Sequence, residues 1–156
     1  MSTAKIVETL TGSDIAPSIP RAYNAVADFV DRNVEEGRRE KLAFIDPNRS
    51  LTYGELQRQT CRFACGLQVL GLRQESRILL LMLDTVDYPV AFWGALRAGV
   101  VPIPLNTLLT AQQYAYIFED SRAEAIVVTA PLLKVVEPVI AQSGTLRTLI
   151  VAGEGP

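Results

Sequence analysis

From residue 77 onward the chain switches repeatedly between two kinds of apolar pattern. Four short runs, RILLLML, VVPIPL, AIVVT and TLIVA, are almost continuously apolar. RILLLML carries too few polar positions to keep one face in water and reads as a strand covered on both faces of a parallel sheet, with the other three runs as further strands. Between them apolar residues recur at helical spacing. The run centres near Leu80, Ile103, Val127 and Ile150 lie 23, 24 and 23 residues apart, the interval of a strand, a helix and a return. This rhythm predicts right-handed βαβ crossovers, although no sequence repeat underlies it. Pro102 and Pro104 remove two backbone donors from VVPIPL, which makes that strand short or places it at a sheet edge.

The first half follows a different plan. Residues 1–23 lack periodicity and predict a tail or a strap. Asn24 is a good N-cap, and Val26, Phe29, Val30 and Val34 then follow at helical spacing until Gly37. The charged stretch DRNVEEGRREK reads as a solvated face and turn. KLAFID and SLTY flank Pro47-Asn48-Arg49, a pattern that predicts a small antiparallel hairpin. Thr52 and Glu55 form a capping box with Leu51 and Leu56 as its hydrophobic staple, and Leu56, Phe63, Leu67 and Leu70 continue one apolar side to Gly71. After Asp84, either Thr85 or Asp87 can cap a helix that accepts Pro89 in its first turn and runs to Arg97 before Gly99. Thr110 and Gln113 make a second capping box, followed by Tyr114, Ile117 and Phe118. Pro131 starts a further helix that Pro138 ends or kinks.

A chain of 156 residues is long enough for one domain. Its 15 basic and 17 acidic residues leave a net charge of -2, which gives nucleic acid no bulk attraction. The longest purely apolar run, residues 78–83, is far below the roughly 20 residues of a membrane helix, and the first ten residues contain no signal-peptide core. The expectation is a soluble, cytoplasmic protein with no nucleic-acid or membrane partner. Histidine is absent, which removes Ser-His and Cys-His nucleophile pairs and imidazole metal ligands. Cys61 and Cys65 supply only half of a tetrahedral metal site and read as small buried hydrophobes in a reduced compartment. The acidic pairs Glu35-Glu36 and Glu119-Asp120 read as solvated charges. The ten glycines form neither GxGxxG nor GxxxxGKS/T. Ligands of open α/β sheets approach the carboxyl ends of strands, here Asp84-Thr85 and Asn106-Thr107, residues equally suited to caps and turns. The residues alone describe a soluble α/β domain.

LTYGEL at 51–56, ALRAGVVPIPLN at 95–106 and LTAQQYAYIFEDSRAEAIVV at 109–128 together resemble the opening region of the adenylate-forming acyl-CoA synthetases. The resemblance covers residues 24–151. Within that superfamily LLLMLDT, YPVAF and NTLLT are closer to the benzoate-CoA ligase branch than to fatty-acyl or coumarate ligases. The implied fold is α/β, a partial N-terminal domain of an adenylate-forming enzyme, with a mostly parallel sheet and a small N-terminal hairpin. Residues 24–156 would form the first part of its large adenylation domain. The implied chemistry has two steps: ATP and a small aromatic carboxylate give an acyl-adenylate, and the thiol of coenzyme A then displaces AMP. ATP, Mg²⁺ and coenzyme A would serve the full-length parent. Its phosphate loop, nucleoside contacts, hinge and catalytic lysine are all expected beyond residue 156. No catalytic, cofactor-binding or metal-binding residue is therefore carried onto this chain, which is expected to act as inactive scaffold that exposes apolar surface where the remainder packs. A homodimer is left open. So are a ligase for another aryl or medium-chain acid and a non-enzymatic α/β binding module.

Overall fold

A computed structural model describes residues 22–153. Nearly all of the expected tail or strap lies outside the described residues. A hairpin of β1 (Leu42–Ile45) and β2 (Ser50–Thr52) pairs antiparallel. It precedes a parallel sheet of β3 (Arg77–Leu81), β4 (Val101–Pro104), β5 (Ala125–Thr129) and β6 (Thr148–Ala152), in the order β4-β3-β5-β6. The hairpin, the parallel sheet and the edge position of the proline-bearing strand all match the expectations. Central β3 is sealed on both faces: Ile78, Leu79 and Leu80 are 0% exposed. Full burial of each such side chain contributes about 1.5–3 kcal/mol.

A π-helical turn (Ala27–Asp31) runs into α1 (Arg32–Glu35), and α2 (Tyr53–Val69) follows the hairpin. The crossover helices are α3 (Asp87–Arg97), α4 (Ala111–Ser121) and α5 (Leu133–Ile140), the last entered through a 3-10 turn at Ala130–Leu132 that contains Pro131. Alternation along the strands sorts the core into two layers. Ile78, Leu80 and Val127 meet Leu67 of α2 and Ala91 and Ala95 of α3. Leu79, Leu81 and Ile126 meet Tyr114 and Phe118 of α4 and Val136 of α5 on the opposite face. A third cluster, Val26, Val30, Leu51, Leu56 and Val86, seats the N-terminal helical segment and the hairpin.

Both capping boxes form. The Thr52 Oγ1 accepts the Glu55 N–H at 3.2 Å while Glu55 Oε2 accepts the Thr52 N–H at 2.9 Å, and the corresponding distances between Thr110 and Gln113 are 3.4 and 2.9 Å. Helices α2 and α3 approach closely because Gly94 has no side chain. A Cβ there would lie 2.8 Å from Phe63 Cδ1 and 2.9 Å from Phe63 Cβ. Gly99, at φ +75°, turns the chain out of α3 into β4.

The structure corrects several expectations. Cys61 and Cys65 are exposed, not buried, because the buried side of α2 is formed by Leu56, Thr60, Ala64 and Leu67. Leu70, assigned to that apolar side, is half exposed beyond the helix end. Phe29 stays outside the core and stacks on Trp93, with ring centroids 5.5 Å apart. Neither Thr85 nor Asp87 caps α3; the N-cap is Val86, and Asp87 is the first helical residue. Pro138 does not end α5, which continues two further residues to Ile140; what it removes is the one donor that would bond the Lys134 carbonyl a turn earlier. Asp31, placed on a solvated face, is drawn instead into an ion pair with Arg97.

Candidate functional site

The strand order reverses at β3. Helix α3 leaves it over one face toward β4, whereas α5 leaves β5 over the other. Neighbouring strands whose helices diverge leave a crevice at their carboxyl ends, the usual ligand position in open α/β sheets. Two side chains fix that crevice. Thr129, at the end of β5, accepts the Leu83 N–H on its Oγ1 at 3.0 Å and so ties the two strand ends together. Asp46, in the hairpin turn, accepts the Val86 N–H on Oδ2 at 2.9 Å, which satisfies a donor at the start of α3.

Asp46 is also the organiser of its own turn. Its Oδ1 accepts the N–H groups of Asn48 and Arg49, each at 2.8 Å. The bond from Val86, then that from Asn48, holds its carboxyl below the usual aspartate range. Arg49 pairs with Asp87 across the same junction at 2.5 Å. The hairpin is thereby pinned over the β3–α3 turn.

Beneath it lies a cavity of about 230 Å³ lined by Phe44, Ile45, Asp84, Thr85, Tyr88 and Pro89 among others. Burial, and then the negative charge of Asp84, push the Tyr88 hydroxyl up. Asp84 and Thr85, the first of the two strand-end positions read from the sequence, therefore do line a concavity. Asn106 and Thr107 do not join it. Asn106 shapes its own turn, with Oδ1 accepting the Leu108 N–H at 2.9 Å and its carbonyl accepting the Tyr114 hydroxyl at 2.8 Å.

The remaining candidates stay apart. Glu35, Glu36, Glu119 and Asp120 are exposed, as expected. Among the described residues no three cysteine or acidic side chains gather into a possible metal site. The described part of the chain thus offers a shaped, polar-rimmed crevice but no nucleophile–base pair and no cation cage. Sequence reasoning missed Asp46 and Thr129. The Asp-Pro-Asn-Arg turn was readable, yet nothing local shows that its second carboxylate oxygen reaches α3.

A larger apolar groove of about 480 Å³ is floored by Phe63, Leu67 and Leu70 of the α2 region, Val90 of α3 and Ile150 of β6, with Gln59 and Arg62 among its lining. No helix among the described residues is long and apolar enough to cross a membrane.

Comparison with known proteins extends this picture. The 4-hydroxybenzoate–CoA/benzoate–CoA ligase of Rhodopseudomonas palustris is 54% identical over 136 residues, covering 87% of this chain and 25% of the relative. The benzoate–CoA ligase of Thauera aromatica is 42% identical over 139 residues, covering 88% of this chain and 26% of the relative. A crystal structure of a benzoate CoA ligase from Burkholderia xenovorans superposes with a TM-score of 0.78 at 45% identity, over 84% of this chain and 26% of that one. The chain thus spans about a quarter of the length of the relatives it matches. The model of the AMP-binding enzyme family matches residues 30–154. With this fold and that match over most of its length, the chain belongs to the AMP-binding enzyme family.

Proposed function

We propose that this chain is the N-terminal part of an ATP-dependent aryl-acid:CoA ligase. The whole polypeptide converts benzoate or a close analogue to its acyl-adenylate and then to its CoA thioester, in the cytoplasm. Residues 24–156 form the first part of its large adenylation domain. The observation that carries this reading is the high identity to ligases of benzoate and 4-hydroxybenzoate along almost the entire chain.

The chain's own contribution is mechanical. Thr129 and Asp46 hold the β3–α3 turn, and α2 and α3 cover one face of the sheet on which the site is built. ATP, coenzyme A and the acid would be met by other parts of the polypeptide. The described residues do not fit a Mg²⁺ site, so no step through the metal is assigned to them.

The test is thioester formation by the full-length polypeptide supplied with ATP, Mg²⁺, coenzyme A and benzoate or 4-hydroxybenzoate, with the 156-residue chain assayed beside it. Aroyl-CoA is expected from the first and none from the second. A kcat/KM at least about tenfold higher for a medium-chain acid than for either aromatic acid would move the assignment to another branch.

A further inference from the structure

Cys61 and Cys65 lie in the middle of the 17-residue α2, both exposed and neither in a disulfide. Side chains four residues apart on a helix stand one above the other, so the two thiols form a single feature. The backbone that carries them is held. Thr60 and Ala64, the residues just before each cysteine, are buried, and the Thr60 hydroxyl donates to the Gln57 carbonyl at 2.9 Å while accepting from Arg97 Nε at 3.3 Å. At 3.6 residues per turn the thiols fall about 150° round the helix from Gln59, Phe63, Gly66 and Leu70, the α2 flank that lines the apolar groove.

The neighbours of the pair decide what it can take. One turn to either side stand Gln57, Arg58, Arg62, Ala64, Gln68 and Val69, none of them acidic, and the chain has no histidine. Asp31, which meets this helix at Gln57, is taken up by Arg97 at 2.7 and 3.0 Å. A cationic metal would therefore find two sulfurs, no further donor on α2, and two arginines without ion-pair partners among the described residues. A disulfide suits the spacing no better. Cβ atoms four apart on a helix are separated by about 5–6 Å, whereas an S–S bridge needs about 3.5–4.5 Å. Closing that gap would open the helix and withdraw Thr60 or Ala64 from the core, but one atom inserted between the two sulfurs spans it.

We propose that Cys61 and Cys65 form a two-thiol clamp for a neutral trivalent arsenical of the type R–As(OH)₂, a modification site on the solvent face of α2. Arsenic(III) binds sulfur strongly, keeps its organic group as third substituent and so needs only two protein ligands. It brings no charge for Arg58 and Arg62 to repel. Two As–S bonds form as two As–O bonds break, each thiol proton leaves with a hydroxyl group as water, and arsenic stays trivalent. The clamp is independent of which acid the polypeptide activates.

The test treats the native full-length polypeptide with phenylarsine oxide, removes excess reagent with a monothiol, and digests with trypsin. Cleavage after Arg62 puts Cys61 on the peptide 59–62 and Cys65 on the peptide 63–73. The expected product is these two peptides joined through one phenylarsenic group, resistant to the monothiol and released by 1,2-ethanedithiol. This linkage identifies the clamp whatever other thiols the polypeptide carries. Cys61→Ser or Cys65→Ser is each expected to lower retention of arsenic on the remaining thiol at least about tenfold, because the second As–S bond forms intramolecularly. Peptides that carry arsenic separately, or arsenic that the monothiol strips from the parent as readily as from either single variant, overturn the clamp. So does linkage that appears only after denaturation.

Discussion

Asp46 caps a helix from 40 residues away in the chain, its Oδ2 accepting the Val86 N–H at 2.9 Å. Three backbone donors converge on this one carboxylate and depress its pKa in the folded protein. A depressed folded pKa means that the stabilisation is present above the unfolded aspartate value, near 4, and is lost as pH falls through the lower folded value. Asp46→Asn is therefore expected to reduce stability near pH 7 and to differ less from the parent near pH 3. Urea midpoints at the two pH values measure this. An equal deficit at both would mean that the charge on Asp46 is irrelevant.

The N-terminal helical segment is tied to α3 by Arg97. Its two terminal nitrogens reach the two Asp31 oxygens at 2.7 and 3.0 Å, its Nε donates to Thr60 Oγ1 at 3.3 Å, and Gln57 donates to Asp31 at 2.9 Å. Burial alone would raise the Asp31 carboxyl, but the bonds from Arg97 and Gln57 and the charge of Arg97 bring it below the ordinary range. Arg97→Lys cannot make the two-pronged contact and is expected to cost about 1–2 kcal/mol, with Arg97→Ala costing about 1–3 kcal/mol. A double-mutant cycle with Asp31→Asn should return a coupling of at least about 0.5 kcal/mol. Additive effects would show that the two residues act separately.

One substitution is expected to have opposite signs at two glycines. A Cβ at Gly66 on α2 meets nothing within 4 Å, so Gly66→Ala should stabilise by about 0.5–1 kcal/mol through helix propensity. At Gly94 the same methyl would press on Phe63 Cβ at 2.9 Å, an atom anchored to the backbone of α2. The helices must part, and Gly94→Ala should destabilise by about 1–3 kcal/mol despite its better propensity. Thermal unfolding of the two variants side by side decides whether this close approach is real.

Cys61 and Cys65 both face solvent. Under native conditions both are expected to react with a water-soluble aromatic disulfide reagent as fast as they do in denaturant, to within about tenfold. Two thiols that become reactive only on unfolding would restore the buried reading.

What could be read from the chain depended on how far each determinant lies from what it determines. Thr52 with Glu55, and Thr110 with Gln113, close their bonds within three residues, so both capping boxes were legible. Strand burial was legible in RILLLML, and the edge position in Pro102 and Pro104. The start of α3 was not, because its acceptor is Asp46 in another element, and the pairing of Asp31 with Arg97 spans 66 residues. The cysteines were misplaced even though a local signal existed. Cys61 and Cys65 share with Arg58 and Arg62 a stripe spaced three, four and seven residues apart, which marks a solvent-facing side of α2. Of the candidate site, Asp84 and Thr85 could be located from the strand end, whereas the ties made by Asp46 and Thr129 depend on packing between separate elements.

The central claim is that these residues are the scaffold of a ligase for aromatic acids, and acid-dependent exchange of pyrophosphate into ATP by the full-length polypeptide tests it most directly. Exchange driven by benzoate or 4-hydroxybenzoate, and absent from the 156-residue chain, is the predicted result. Exchange driven only by aliphatic acids, or none with any carboxylate, would contradict it.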